Sequence, residues 1–260
     1  MQQMRTHQPE LDNPITTQQV WRAIRKTKAG TAPGCDGVLT SIIRAACGAV
    51  GNSRLQPENA VVEALTLMFN FCFTHEVWPS RWNTGIIIPI HKQDSRLEPG
   101  NYRPITLLSV IGKLFGSIVE ERLSEWAERN FAIADEQGGF RRNRGTADLI
   151  FMLRETIAMR KAQKLPTLVT FIDVKAAFDS VNRELLHCRL HDMGVQGKLW
   201  RQIQQMSSGA CSKARLPFGD TDEFLTSRGV AQGAVESPLL YSCFINGLAE
   251  YLKAKGFGVS

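Results

Sequence analysis

The run Leu168–Ile172 is apolar or β-branched throughout, and it ends on a carboxylate, Asp173, with a second acid at Asp179. A carboxylate closing a buried strand is costly unless it is paired, protonated or bound to a cation. Three chemistries use such a group. A phosphorylated aspartyl nucleophile of the hydrolase kind wants a second Asp two residues on, where this chain has Lys175. A regulatory phosphoacceptor wants an acidic cluster after an earlier strand, and none precedes it. A magnesium ligand for phosphoryl transfer needs hard carboxylate oxygen, which Asp173 supplies. The structural alternative is an Asp capping the following helix. For Asp179, which Ser-Val-Asn follows, the N-cap is the plainer role.

Cations and glycines mark the other candidate groups. Lys92 and Arg103 flank the polar loop QDSRLEPGNYRP, and EQGGFRRNRGT gathers Arg141, Arg142 and Arg144. Glycine punctuates GTAPGCDG (30–37) and RGVAQGAVESP (228–238), where backbone must turn or approach a neighbour closely. His187 and His191 stand i, i+4 without a carboxylate beside them, which favours a solvated helix face over a metal pair.

The elements that must hold these groups can be read from periodicity. The first dozen residues are polar and expected to be loose. Thr16 and Gln19 have capping-box spacing before a short amphipathic helix that ends ahead of Gly30. Further helices are expected over 38–48, 58–75 (buried), 147–163, 182–193, 196–208 and 239–254, and the longest within LLSVIGKLFGSIVEERLSEWAERN, with apolar residues at 111, 114, 115, 118, 119 and 123. TGIIIPIHK reads as a strand ending at Lys92, LPTLVTFIDV as the strand that presents Asp173, and 211–227 as a hairpin. Strands and helices interleave without a regular βαβ repeat, so the fold class is α+β.

Composition narrows the function classes. The chain has 260 residues, a net charge of +6 and an apolar fraction of 43%, ordinary for a globular protein with a mild basic excess. Six scattered cysteines without a CxxC pair argue against a disulfide framework or a zinc site. The N-terminus has no apolar leader core and no run approaches a membrane span, so an intracellular protein (nucleus or cytoplasm), not secreted and without membrane contact, is expected.

Six blocks in order carry a resemblance. FIDVKAAFD resembles motif A of reverse transcriptases, and GVAQGAVESPLLYSCFIN resembles motif B. TGIIIPIHK and NYRPITLLSVIGKLFGSIVEERL resemble motifs 1 and 2, EQGGFRRNRGTADLI the segment before motif A, and GTAPGCDGV the signature of the N-terminal extension. Together they span about residues 30 to 250. The chain thus resembles the reverse transcriptase of non-LTR, LINE-type retrotransposons, with group II intron maturases as nearest relatives.

That resemblance implies the fingers and first part of the palm of a right-hand polymerase, with the thumb absent. It divides the chain into a helical extension (1–78), fingers (79–165) and a partial palm (166–260). The implied activity is RNA-directed DNA polymerisation, a two-metal nucleotidyl transfer to a primer 3′ hydroxyl using Mg2+ (or Mn2+). The implied partners are an RNA template, a DNA primer and deoxynucleoside triphosphates. Asp173 would be the catalytic metal ligand, and the Val174 carbonyl would serve the second ion. Lys92 and Arg103 would hold the phosphates of the nucleotide. Phe178 would be the steric gate against a 2′-hydroxyl, Gln232 and Gly233 would meet the nucleotide, and Arg141, Arg142 and Arg144 would contact template phosphates. Asn246 matches the motif B asparagine.

The chain departs from the pattern in two places. Ala231, Ala234 and Glu236 replace the usual Pro, Ser and apolar residue of motif B; Glu236 is expected either to repel a triphosphate or to face solvent. No Asp-Asp pair of motif C occurs in the 260 residues. One carboxylate cannot hold two magnesium ions, so these residues are not expected to polymerise alone. A non-catalytic RNA-binding module or a decayed element copy is the alternative reading.

Overall fold

The computed structural model describes residues 8–48 and 59–258. Residues 1–7 of the polar opening, the expected start of a helix at 58 and the last two residues lie outside the described residues. From residue 8 the opening is ordered: Pro9–Asp12 form a 3-10 turn that buries Leu11.

Helix α1 (Thr17–Lys26) begins with the predicted capping box, in which Gln19 N–H donates to Thr16 Oγ1 and the Gln19 side chain accepts from Thr16 N–H. Its apolar stripe of Val20, Trp21, Ala23 and Ile24 turns inward. Helices α2 (Thr40–Ala46) and α3 (Ala60–His75) follow. Only one stripe of α3 is buried; Leu67, Met68 and Phe71 on its other side are exposed.

Strand β1 (Thr84–His91) pairs antiparallel with β2 (Tyr102–Leu107) in the register Ile90↔Arg103 and Ile88↔Ile105. The 20-residue α4 (Val110–Arg129) is the spine of the molecule, capped by Ser109, whose Oγ accepts from Gly112 N–H. Phe115 of α4 meets Phe69 and Trp78 edge-on and Trp82 tilted, with ring centroids 5.3–6.2 Å apart. Two ion pairs, from Arg22 and Lys26 to Glu121, fasten α1 to α4.

Helices α5 (Thr146–Ala162), α6 (Arg183–Asp192) and α7 (Gly197–Ser207) lie near their expected ranges. Strand β3 (Cys211–Leu216) turns through the short β4 (Gly219–Asp220) and β5 (Phe224–Leu225). It also pairs parallel with β1, Thr84↔Cys211 through Ile87↔Ala214. The expected terminal helix is two, α8 (Ser237–Ile245) and α9 (Gly247–Ala254), broken at Asn246. The Asn246 amide donates to Ala132 O and accepts from Ala134 N–H, anchoring the junction of the two helices. One apolar cluster runs through α1, α3, α4, α6, α7 and α8, so it draws on residues from all three expected segments.

The expected strand over 165–174 is not formed. This stretch carries no strand pairing, and Leu168, Phe171 and Ile172 are 97%, 84% and 77% exposed. β-propensity needs a neighbouring backbone to become a strand, and no described strand pairs with this stretch. Helix α5, just before it, likewise buries none of its side chains. Asp173 is therefore an exposed carboxylate on a segment without regular structure, not the buried tip of a core strand.

Two smaller expectations also change. Asn182, not Asp179, caps α6, its side chain accepting from Leu185 N–H. His187 is half-buried beside Ser207, at 3.3 Å, and burial pushes its pKa down; His191 packs on Trp200.

Candidate active site

The loop over 226–233 joins the parts of the site. Gly229 N–H donates to Val181 O and Val230 N–H to Phe178 O, both at 2.9 Å, fixing the loop on the turn that follows Asp173. Gln232 O accepts from Thr106 N–H of β2 at 3.0 Å, fixing the same loop on the β1–β2 hairpin. Both contacts require glycine. At Gly229 (φ +83°) an added Cβ would lie 2.9 Å from Phe178 O and Asp179 Cα. At Gly233 (φ +153°) it would collide with Thr106 O.

Phe178 sits where these bonds converge. Its ring packs edge-on to Phe140 at 6.0 Å and tilted against Tyr241 of α8 at 5.5 Å. The turn that delivers it holds Ala176 in the left-handed region, φ +50°, closed by Ser180 N–H donating to Ala176 O. Phe140 and Tyr241 were not singled out by residue type alone, although both lie inside the quoted motif blocks. Phe178, Gln232 and Gly233 are thus brought together.

Lys92 and Arg103 stand at the loop end of the β1–β2 hairpin, both exposed. Lys92 N–H donates to Asn101 O, and Ile90 faces Arg103 across the ladder. Neither side chain has a partner among the described residues, so both are available to an anion. Asp173 and Val174 lie on the exposed segment, with no backbone bond joining them to the Phe178–Gln232 junction.

The three arginines of the FRRNRG block separate. Arg141 is only 7% exposed, forks onto Glu128 at 2.7–2.8 Å and donates to Ala134 O. The Glu128 hydrogen bond raises the Arg141 pKa, and the same bond lowers that of Glu128. Its donors are spent inside the protein, so its assignment as a template contact is corrected: Arg141 folds the loop. Arg144 is bonded to Asp135 at 2.7 Å, which lowers the Asp135 pKa, and Arg142 stands 3.5 Å from Glu120 and Glu125. These two are at the surface, in exchangeable ion pairs.

Glu236 neither faces solvent nor stands free to repel an anion. The residue is half-buried with its carboxyl end turned in against Gly116 of α4, where an added Cβ would collide with Oε2. Burial pushes its pKa up from 4.5 to about 7, and the nearby Glu120 adds to the rise. A raised acid binds its proton more tightly in the folded state, so stability present below pH 4.5 is lost as pH climbs through about 7. Glu236→Gln should therefore raise the thermal midpoint at pH 8 by roughly 4–8 °C, for about 2 kcal/mol, and change it little at pH 5. Equal shifts at both pH values in circular-dichroism melts would contradict this placement.

Residues 90–258 match the sequence profile of the reverse transcriptase (RNA-dependent DNA polymerase) family. The chain belongs to that family. Among its relatives, "Probable RNA-directed DNA polymerase from transposon BS" of Drosophila melanogaster is 27% identical over 89% of the chain and 24% of its own length. The "Putative 115 kDa protein in type-1 retrotransposable element R1DM" of the same species is 29% identical over 88% of the chain and 21% of its own length. The "Retrovirus-related Pol polyprotein from type-1 retrotransposable element R2" of Popillia japonica is 28% identical over 90% and 30%. This reverse transcriptase domain spans about a quarter of the length of the curated relatives it matches. The kinship is with the non-LTR retrotransposon branch, and the α+β structure is consistent with a partial polymerase fold.

Reverse transcriptases as a family use divalent metal ions. Among the described residues no three His, Cys, Asp or Glu side chains cluster to hold one. Asp173 offers one carboxylate and Val174 one carbonyl, which do not by themselves make a two-metal site.

Proposed function

We propose that the chain is the nucleotide-selecting and template-holding part of an RNA-directed DNA polymerase of a mobile element. The observation that carries this reading is the 226–233 loop, bonded at once to the Phe178 turn and to Thr106 of the hairpin that bears Arg103. A nucleotide held by cations on that hairpin meets a bulky ring and a glycine turn at one junction, the arrangement that sugar selection needs.

The roles follow from chemistry and placement. Lys92 and Arg103, exposed and unpartnered, take the triphosphate. Phe178 excludes a 2′-hydroxyl, and the close backbone at Gln232–Gly233 lines the nucleotide. Arg142 and Arg144 exchange their surface carboxylates for template phosphates, so RNA affinity falls with salt. Asp173, with the Val174 carbonyl, contributes to Mg2+ or Mn2+ binding once further carboxylates complete the site. The partners are an RNA template, a DNA primer and deoxynucleoside triphosphates in an intracellular setting. Segments 1–78, 79–165 and 166–260 act as extension, fingers and partial palm, and group II intron maturases stand next in kinship.

The second reading is an RNA-binding module without catalysis, in which the surface arginines Arg142 and Arg144 hold RNA. Phe178→Ala separates the two in a polypeptide that carries these residues together with a motif C aspartate pair. Discrimination against ribonucleotides should drop by roughly tenfold to a hundredfold, the scale of one lost contact group in a selective pocket. Unchanged discrimination would overturn the gate assignment. A wild-type polypeptide that binds RNA yet extends no primer would favour the module.

A further inference from the structure

Arg183 has no role in the sequence reading and makes a concentrated set of contacts. It is the first residue of α6, where the positive end of the helix dipole disfavours a cation. Its side chain turns away and donates to four backbone carbonyls. Nε donates to Gly229 O at 2.8 Å, Nη1 to Ser207 O at 2.9 Å and to Thr226 O at 2.6 Å, and Nη2 to Arg228 O at 3.3 Å. Among the described residues it has no carboxylate partner, and burial lowers its pKa. Ser207 is the last residue of α7, and a helix C-terminus favours a cation. A planar guanidinium can reach several separate acceptors at once, which an ammonium cannot.

The carbonyls it holds lead into the candidate site. Gly229, whose oxygen Arg183 binds, is the residue whose N–H meets Val181 O. The next N–H, at Val230, meets Phe178 O, and Gln232 lies two residues on at Thr106. Gly229 has no slack, because even a methyl group there would press on Phe178 O and Asp179 Cα.

We propose that Arg183 is a positioning residue that locks the 226–230 loop against the 178–181 turn and so sets the depth of the Phe178 gate relative to Gln232. The specificity consequence rests on the proposed polymerase reading; the lock itself does not. With the guanidinium replaced, the loop keeps its two amide bonds to the turn but loses the charged brace behind them, and the gate widens.

Two measurements test this. In the 260-residue chain, Arg183→Lys should speed amide hydrogen exchange at Gly229 and Val230 by about tenfold, the scale of one lost charged hydrogen bond. Exchange in α4 should stay as it was. Unchanged exchange at those two amides overturns the lock. In a primer-extending polypeptide that contains these residues, Arg183→Lys and Arg183→Gln, compared per titrated active site, should lower deoxy-over-ribonucleotide discrimination by about tenfold and raise KM more than they lower kcat. A merely structural role would reduce the active fraction and leave the discrimination ratio alone, which overturns the specificity claim. If wild type extends no primer, the polymerase reading fails, and the exchange result still decides the lock.

Discussion

Asp173→Asn is expected to reduce primer extension at least ~1,000-fold, the scale of several kcal/mol of lost metal stabilisation at a transferring phosphoryl group. The setting is a polypeptide carrying these residues with a motif C aspartate pair. RNA affinity should stay within about twofold, because phosphate contacts elsewhere carry it. The structure makes this substitution unusually clean. Asp173 is exposed and has no hydrogen bond or ion pair among the described residues, so the isosteric amide breaks nothing in the fold. Its unfolding free energy should therefore lie within about 0.5 kcal/mol of wild type, as for other surface changes. What the amide removes is the anionic oxygen that a hard cation requires. Primer extension near the wild-type rate would sink the assignment, and a large loss of stability would show that Asp173 has partners the fold does not suggest.

Arg122→Ala should be strongly destabilising, costing about 3–4 kcal/mol and roughly 10 °C in thermal midpoint. Arg122 is 8% exposed on α4 and donates to Leu11 O, Asn13 O, Pro14 O and Gln19 Oε1 at 2.6–3.3 Å. Its guanidinium also lies 5.3 Å from the centre of the Phe73 ring. Burial pulls its pKa down to about 10, so some of its binding energy is already offset by lost hydration. Alanine removes that cost but leaves the acceptors without their donor. It also frees the segment that carries Leu11 and Ile15 into the core. Arg122→Lys should recover only part of the loss, since one ammonium cannot span acceptors from three loop carbonyls and a side-chain amide. A melt shifted by less than about 3 °C, under 1 kcal/mol for a chain of this size, would mean that the N-terminal segment is held by its apolar residues alone.

Legibility in the sequence followed the range of the interaction. The capping box at Thr16, the long α4 and the β1 strand ending near Lys92 depend on neighbours a few residues away, and they stand where periodicity puts them. The parallel pairing of β1 with β3 joins positions more than 120 residues apart, and no local pattern announces it. The 165–174 segment shows the opposite failure. Its residue types are those of a strand, but type sets only a preference, and no described strand pairs with it. At the junction of α8 and α9 the pair Asn246-Gly247 is a visible mark, but the side-chain bonds of Asn246 to Ala132 and Ala134 are long-range and are not.

At the site, residue type identified the groups and the fold sorted them. Nothing in FRRNRG distinguishes Arg141 from Arg142 and Arg144, yet one faces Glu128 from inside and the others stand at the surface. Glu236 was visible as a departure, but its burial against Gly116 depends on a glycine 120 residues earlier. Arg183 could not be found at all, because every acceptor it binds is a main-chain carbonyl. Carbonyls leave no mark in residue types. Thr106 escaped notice for the same reason, since its part is played by its amide.

The most direct measurement is template-directed DNA synthesis by a polypeptide that carries these 260 residues and a motif C aspartate pair. It would be supplied with an RNA template, an annealed DNA primer, the four deoxynucleotides and Mg2+, and its product sequenced. The predicted result is a DNA strand complementary to the RNA, absent when the template is omitted and absent with Asp173→Asn. RNA binding without any templated extension, or extension that persists in Asp173→Asn, would contradict the account.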